Sequence, residues 1–262
     1  MSDLHIAMVQ SELAWEEPSA NREHFERALE DLPREVDLVL LPEMFSTGFS
    51  MNAEVLAEPV GGETEAWLQA LAAEQDAAIT GSLPVRDGNA IYNRLLFATP
   101  DGHCRHYDKH HLFTMSTEND HYSAGNARLV VEWRGWRICP MVCYDLRFPV
   151  WMRNRPAGDP GHYDLLAIIA NWPAKRSHHW RSLLLARAIE NQAYCVGLNR
   201  IGRDGNGLDY TGDSLAFAAD GQLLVDCEDR AGVFTVTLER EPLDIYRSKF
   251  PLLPDADTFT LE

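Results

Sequence analysis

The segment Val36-Asp37-Leu38-Val39-Leu40-Leu41 is a mostly apolar run that breaks off at Pro42-Glu43. Side chains alternate between the two faces of a strand, so a run that is apolar at consecutive positions is buried on both. Such a strand needs a sheet covered above and below. Residues 164–171 repeat the pattern, apolar from Leu165 to Ala170 and polar at Asn171. Residues 137–143 do so again and end on a thiol, Cys143.

Between these runs the period changes to that of amphipathic helices. Helices are expected over residues 21–32, with Ser19 as N-cap, over 63–75 and over 178–192, where Leu184, Leu185, Ala188 and Ile189 form the apolar stripe. Strands are expected over 5–10, 78–83, 91–99 and 128–133, with turns at Pro100-Asp101-Gly102 and Arg134-Gly135. Residues 103–122 are polar and rich in histidine. A short helix follows Phe148, strands dominate from 194 to 238 with a hairpin turn at Asp220-Gly221, and a last helix covers 240–247. No linker, low-complexity tract or internal repeat interrupts the chain. Residues 1–262 therefore read as a single α/β domain with buried sheets and outer helices.

The balance of 40 acidic against 23 basic residues gives a net charge of −17. Such a surface repels phosphate backbones and anionic lipid heads, which excludes nucleic acid and membrane surfaces as partners. The first ten residues lack a basic stretch leading into a long apolar run and read as a first strand, not a signal peptide. Five cysteines, at 104, 139, 143, 195 and 227, are odd in number and lack paired short spacings. Reduced thiols and a cytoplasmic location are expected.

Ligand sites in α/β sheets gather at the carboxyl ends of strands. Glu43 and Cys143 are both delivered there and can form a nucleophile and its base. Lys109, in Tyr107-Asp108-Lys109-His110-His111-Leu112, can stabilise a thiolate or an oxyanion beside them. Taken singly, a strand-end Glu is more often a cap or ion-pair partner, a loop Lys a solvated charge and a strand Cys a buried hydrophobe. Cys139 is the rival nucleophile; four residues apart in an extended strand, it shares a face with Cys143.

The segments Leu41-Pro42-Glu43, Tyr107 to Phe113 and Val142-Cys143-Tyr144-Asp145-Leu146-Arg147-Phe148-Pro149, in this order and spacing, resemble the nitrilase superfamily of carbon–nitrogen hydrolases. The resemblance spans the chain and includes Arg187-Ala188-Ile189-Glu190-Asn191. It implies a four-layer α-β-β-α sandwich, commonly paired as a homodimer or higher homo-oligomer, and catalysis with no metal or organic cofactor. It further implies Cys143 as nucleophile, Glu43 as general base and acid, and Lys109 with the backbone N–H of Tyr144 as oxyanion donors. Glu118 stands as the second glutamate that such enzymes carry between lysine and cysteine.

Asn171-Trp172-Pro173-Ala174-Lys175-Arg176 and His178-His179-Trp180 resemble the bacterial omega-amidase branch, which implies the terminal amide of 2-oxoglutaramate or 2-oxosuccinamate as substrate. Arg147, Lys175 and Arg176 are the candidates to hold its carboxylate, with Asn171 and Trp172 lining the pocket. N-carbamoyl, aliphatic amide and nitrile hydrolysis use the same residues. From other classes, a metalloenzyme built on His103, His106, His110, His111 and His121 lacks a zinc-binding pattern. A Cys–His hydrolase lacks the papain-like flanks. A non-catalytic scaffold keeping this fold for partner binding would not need all three catalytic residues.

Overall fold

The computed structural model describes residues 2–259. Its first half contains β1 (Leu4–Gln10), α1 (Pro18–Leu29), β2 (Leu38–Leu40), α2 (Ala53–Leu56), β3 (Glu58–Pro59), α3 (Glu63–Gln75), β4 (Ala78–Asp87), β5 (Ala90–Ala98), β6 (Cys104–Asp108) and α4 (Glu118–His121). The second half contains β7 (Val131–Trp133), β8 (Trp136–Val142), α5 (Pro149–Met152), β9 (Leu165–Ala170), α6 (Ser177–Asn191) and β10 (Tyr194–Asn199). It continues with β11 (Ile201–Arg203), β12 (Asp209–Thr211), β13 (Leu215–Phe217), β14 (Leu223–Asp226), β15 (Gly232–Leu238) and α7 (Arg240–Lys249).

One sheet runs in the order β15-β1-β2-β4-β5-β6, with β3 beside β4; the other runs β14-β13-β10-β9-β8-β7. Each is built around three parallel strands, β1-β2-β4 and β10-β9-β8, flanked by antiparallel ones. Alternation along the strands divides the layers. Leu4, Ile6, Met8, Leu38 and Leu40 face the core shared with Ile138, Val142 and Ile169 of the second sheet. Ala7, Val9, Val39 and Leu41 face the other way, onto Phe25 and Leu29 of α1 and Leu68 and Ala72 of α3. On the far side α6 and α7 cover the second sheet through Trp180, Leu184, Ala188 and Leu243. Close approach of α6 to β10 depends on Gly197, where a Cβ would stand 2.4 Å from Leu184 Cδ1. The result is the four-layer α-β-β-α sandwich expected of the chain.

The boundaries differ in places. Helix α1 begins at Pro18, whose fixed φ suits a first turn, so Glu17 and not Ser19 is the cap, and it stops at Leu29. The run 36–41 narrows to β2, because Val36 N–H bonds the carbonyl of Pro33 in a turn. The strand expected over 128–133 is confined to β7, whereas β4 runs on to Asp87. Strand β6 lies inside the polar stretch 103–122; it is a sheet edge whose Arg105 and His106 are exposed, so burial left no apolar pattern on them. Pro140 is tolerated in β8 because β7 pairs only as far as Ile138, leaving it a neighbour on one side alone.

Candidate active site

The parallel strands of the two sheets deliver their ends to one place. Glu43 leaves β2 through Pro42, Cys143 leaves β8 and Asn171 leaves β9, while β6 ends one residue before Lys109 and α4 begins at Glu118. Glu43, Lys109 and Glu118 are wholly buried. Lys109 Nζ donates to Glu43 Oε1 at 2.9 Å and to Glu118 Oε1 and Oε2 at 3.0 and 2.9 Å. The second oxygen of Glu43 accepts the N–H of Asn171 at 2.9 Å, and Glu118 Oε2 accepts that of Phe113 at 2.6 Å. Buried carboxylates without such donors would be prohibitively unstable.

Asn93 is the residue that sequence reasoning missed. Its amide donates to Glu43 Oε1 at 2.8 Å and to Glu118 Oε1 at 3.3 Å, and its backbone carbonyl accepts Lys109 N–H at 3.0 Å. The available signal was its period: Ile91, Asn93, Leu95 and Phe97 alternate on β5 and all are buried. A lone amide in an inward apolar row needs a buried partner.

Cys143 does not continue the strand. Its φ is +44°, the left-handed region, and residues 143–147 form a single 3₁₀ turn. That conformation costs about 1–3 kcal/mol for a residue with a Cβ and persists where surrounding structure enforces it. The turn breaks the two-residue period, so Cys139 and Cys143 do not share a strand face as expected. Cys139 stays fully buried in β8, whereas Cys143 opens onto a pocket.

The electrostatics follow from burial. Desolvation, and then the neighbouring charge of Glu43, push the Cys143 thiol well above its ordinary range, against the pull of Lys109. The resting group is therefore a thiol. Burial opposes the charge on Lys109, but Glu118 and Glu43 more than offset it and raise its affinity for the proton. Glu118 is raised by burial and by Glu43, with Lys109 opposing. A thiol, a carboxylate and an ammonium held together in this way can perform acyl transfer.

The pocket above Cys143 has a volume of about 340 Å³. Phe49, Met51, Phe113, Trp172 and Leu208 give it apolar walls, and Tyr144, Arg147, Asn171 and Arg176 reach it as polar groups. Arg147 stacks on the Trp172 ring at 4.6 Å and Arg176 faces Phe113 at 5.4 Å. Among the described residues neither guanidinium has a carboxylate within 4.0 Å. Lys175 is exposed and stands outside the pocket lining, on the outer side of the turn that carries Arg176. One wall was unforeseen: the hairpin of β11 and β12 brings Asp204, Asn206, Leu208 and Tyr210 to the pocket. The clustered histidines are engaged one by one, although His110 and His111 touch edge to face at 4.5 Å. His110 Nδ1 pairs with the Gly125 carbonyl and His111 Nδ1 with Asp145, and among the described residues no group of three or more potential ligands is placed to hold a metal.

Known proteins share this arrangement of chain and fold. A family model for carbon-nitrogen hydrolases matches residues 5–247. The omega-amidase YafV of Yersinia enterocolitica is 47% identical over 264 residues, covering all of both chains. The 2-oxoglutaramate amidase of Bacillus subtilis is 30% identical over 95% of this chain and 96% of its own. The crystal structure of XC1258 from Xanthomonas campestris, a CN-hydrolase superfamily protein with an arsenic adduct in its active site, superposes with a TM-score of 0.97 at 46% identity, covering both chains fully. With the family model spanning most of its length and these relatives matching it end to end, the chain belongs to the carbon–nitrogen hydrolase family.

Proposed function

We propose that the chain, working as one catalytic unit, hydrolyses the terminal amide of a short 2-oxo-diacid monoamide, 2-oxoglutaramate or 2-oxosuccinamate. Cys143 Sγ attacks the amide carbon while Glu43 takes the thiol proton. The oxyanion that forms is held by Lys109 Nζ and the backbone N–H of Tyr144. Glu43 returns the proton to nitrogen as the C–N bond breaks, ammonia leaves, and the acyl group remains on sulfur as a thioester. Water deprotonated by Glu43 then attacks the thioester, freeing the acid and the thiol. Glu118 keeps Lys109 charged throughout.

The substrate class rests on one observation, the two guanidiniums of Arg147 and Arg176 facing a small pocket without carboxylate partners in a chain of net charge −17. A substrate carboxylate supplies the missing partner through charge-assisted hydrogen bonds. The names of the relatives point the same way. Ammonia release from 2-oxoglutaramate, a carbamoyl amino acid and a simple nitrile distinguishes the readings. The oxo-acid amide is expected to be turned over fastest; its inertness while another is hydrolysed would transfer the site to that chemistry.

The protein is further proposed to act in the cytoplasm as a homodimer or higher homo-oligomer. No helix among the described residues is long and apolar enough to cross a membrane. Exposed Val150 on α5 and Ile189 on α6 favour pairing through the helical face. Light scattering coupled to size exclusion tests this, with a monomer as the contradicting result.

A further inference from the structure

The Lys109 loop and the Cys143 turn belong to different sheets, and a single carboxylate ties them together. Asp145 is fully buried, two residues beyond Cys143. Its Oδ1 accepts the backbone N–H of His111 at 3.0 Å and pairs with His111 Nδ1 at 2.9 Å. Its Oδ2 accepts the Tyr107 hydroxyl at 2.8 Å and the backbone N–H of Val142 at 3.1 Å. Tyr107 and His111 lie two residues to either side of Lys109, and Val142 immediately precedes Cys143. From these contacts we infer that Asp145 is a positioning residue, setting where Lys109 Nζ stands relative to Cys143 Sγ and holding Cys143 in its left-handed conformation.

An ionised carboxylate offers about four acceptor positions, and here all four are taken. It accepts only, so His111 carries its proton on Nδ1. Tyr107 is held as a donor too. Burial and then the Asp145 charge keep its hydroxyl protonated, and that oxygen already accepts from Trp151 Nε1 at 3.0 Å and from His110 N–H at 3.2 Å. Stacking locks the periphery, with His111 on Phe148 at 3.8 Å and His110 on Trp151 at 3.7 Å. The lysine loop therefore has few ways to move independently of the cysteine turn.

The arrangement makes Asp145→Asn an informative change. Each oxygen receives one backbone N–H, which cannot turn around to accept. Whichever way the new amide points, its NH₂ meets a backbone donor, at His111 or at Val142. One loop must shift, and a shift of about 1 Å at a reacting pair lowers the rate roughly 100-fold. Phe49, Met51, Trp172, Arg176 and Leu208 line the pocket from other segments, so most of the binding surface is spared and the loss falls on kcat.

This inference rests on the roles given above to Cys143 and Lys109 but not on the substrate class, and any amide the wild-type enzyme turns over serves. Kinetics are measured for Asp145→Asn, Tyr107→Phe and the double variant, with kcat normalised to the number of alkylatable Cys143 thiols. The expected result is a fall in kcat of roughly 100-fold for Asp145→Asn and about tenfold for Tyr107→Phe, with KM within about twofold of wild type. The double variant should be no slower than Asp145→Asn alone, because both changes cut the same strut. Wild-type kcat per titrated thiol in Asp145→Asn, or a loss appearing only in KM, overturns the inference, as do additive losses. If Asp145→Asn does not fold, Tyr107→Phe decides, and an unchanged kcat there overturns it. Cys143→Ala run in parallel separates the two readings: retained turnover removes the catalytic roles themselves, whereas a dead Cys143→Ala beside a fully active Asp145→Asn removes only the strut.

Discussion

Lys109 Nζ lies 2.9 Å from Glu43 Oε1, and neither side chain has any exposure to solvent. The charge pair is thus removed from water at the point where two sheets meet, and Glu118 completes it from the other side at 2.9 Å. Charges buried in this way survive only as a set.

Lys109→Met is accordingly expected to leave two carboxylates without a counter-ion. A loss of about 3–5 kcal/mol in unfolding free energy is expected from breaking a buried pair on one side. Urea titration measures it. Turnover in the folded fraction should fall at least 100-fold if Lys109 is the oxyanion donor proposed above.

Asn93→Leu keeps the branched outline of the side chain, at a larger volume, and removes both amide hydrogen bonds to the glutamates. A stability loss of about 1–3 kcal/mol is expected, as for buried acceptors losing a donor. The kcat should drop about tenfold with little change in KM, because the contact orients Glu43 and does not line the pocket. Steady-state kinetics beside a thermal melt would show both effects; an unaltered kcat would make the residue purely architectural.

Legibility followed burial. Helix α3 was readable to the residue, and α6 and α7 nearly so, and each buries leucine against a sheet: Leu68 and Leu71 on α3, Leu184 on α6 and Leu243 on α7. Glu43 and Cys143 were readable because each follows an apolar strand. Strand β6 was not, since an exposed edge pairs by backbone and leaves no mark on side chains. The strands of the β11–β12 hairpin fall in the stretch where strands were expected, but its role as pocket wall depends on where the chain returns in space. Nor does composition foretell a left-handed Cys143; Asp145, just beyond it, bonds Tyr107 and His111 far back along the chain.

Alkaline pH should destabilise the fold through its buried thiols. Burial raises Cys139 to about 11 and Cys227 to about 12, against an ordinary value of 9.0, and raises Cys143 as well. Above pH 9 the unfolded chain releases these protons while the folded chain keeps them. Stability is therefore fully present below that point and falls as pH rises, by up to about 1.4 kcal/mol per pH unit for each thiol. Urea midpoints at pH 8 and pH 10 measure the slope, and a midpoint higher at pH 10 would reverse the sign.

Arg147→Ala and Arg176→Ala should each raise KM for 2-oxoglutaramate about tenfold or more while sparing kcat, since a charge-assisted hydrogen bond contributes roughly 1.5–3 kcal/mol. An uncharged amide of equal length should bind the variants and wild type alike. Lys175→Ala, exposed and outside the pocket, serves as the control and should change neither constant.

The most direct measurement is mass spectrometry of the protein quenched in acid during turnover of 2-oxoglutaramate. An adduct equal to the substrate less ammonia should appear on the peptide carrying Cys143, and it should be absent, with turnover abolished, in Cys143→Ala. Ammonia release without any such adduct in either protein, or an adduct carried by Cys139, would contradict a thioester on Cys143.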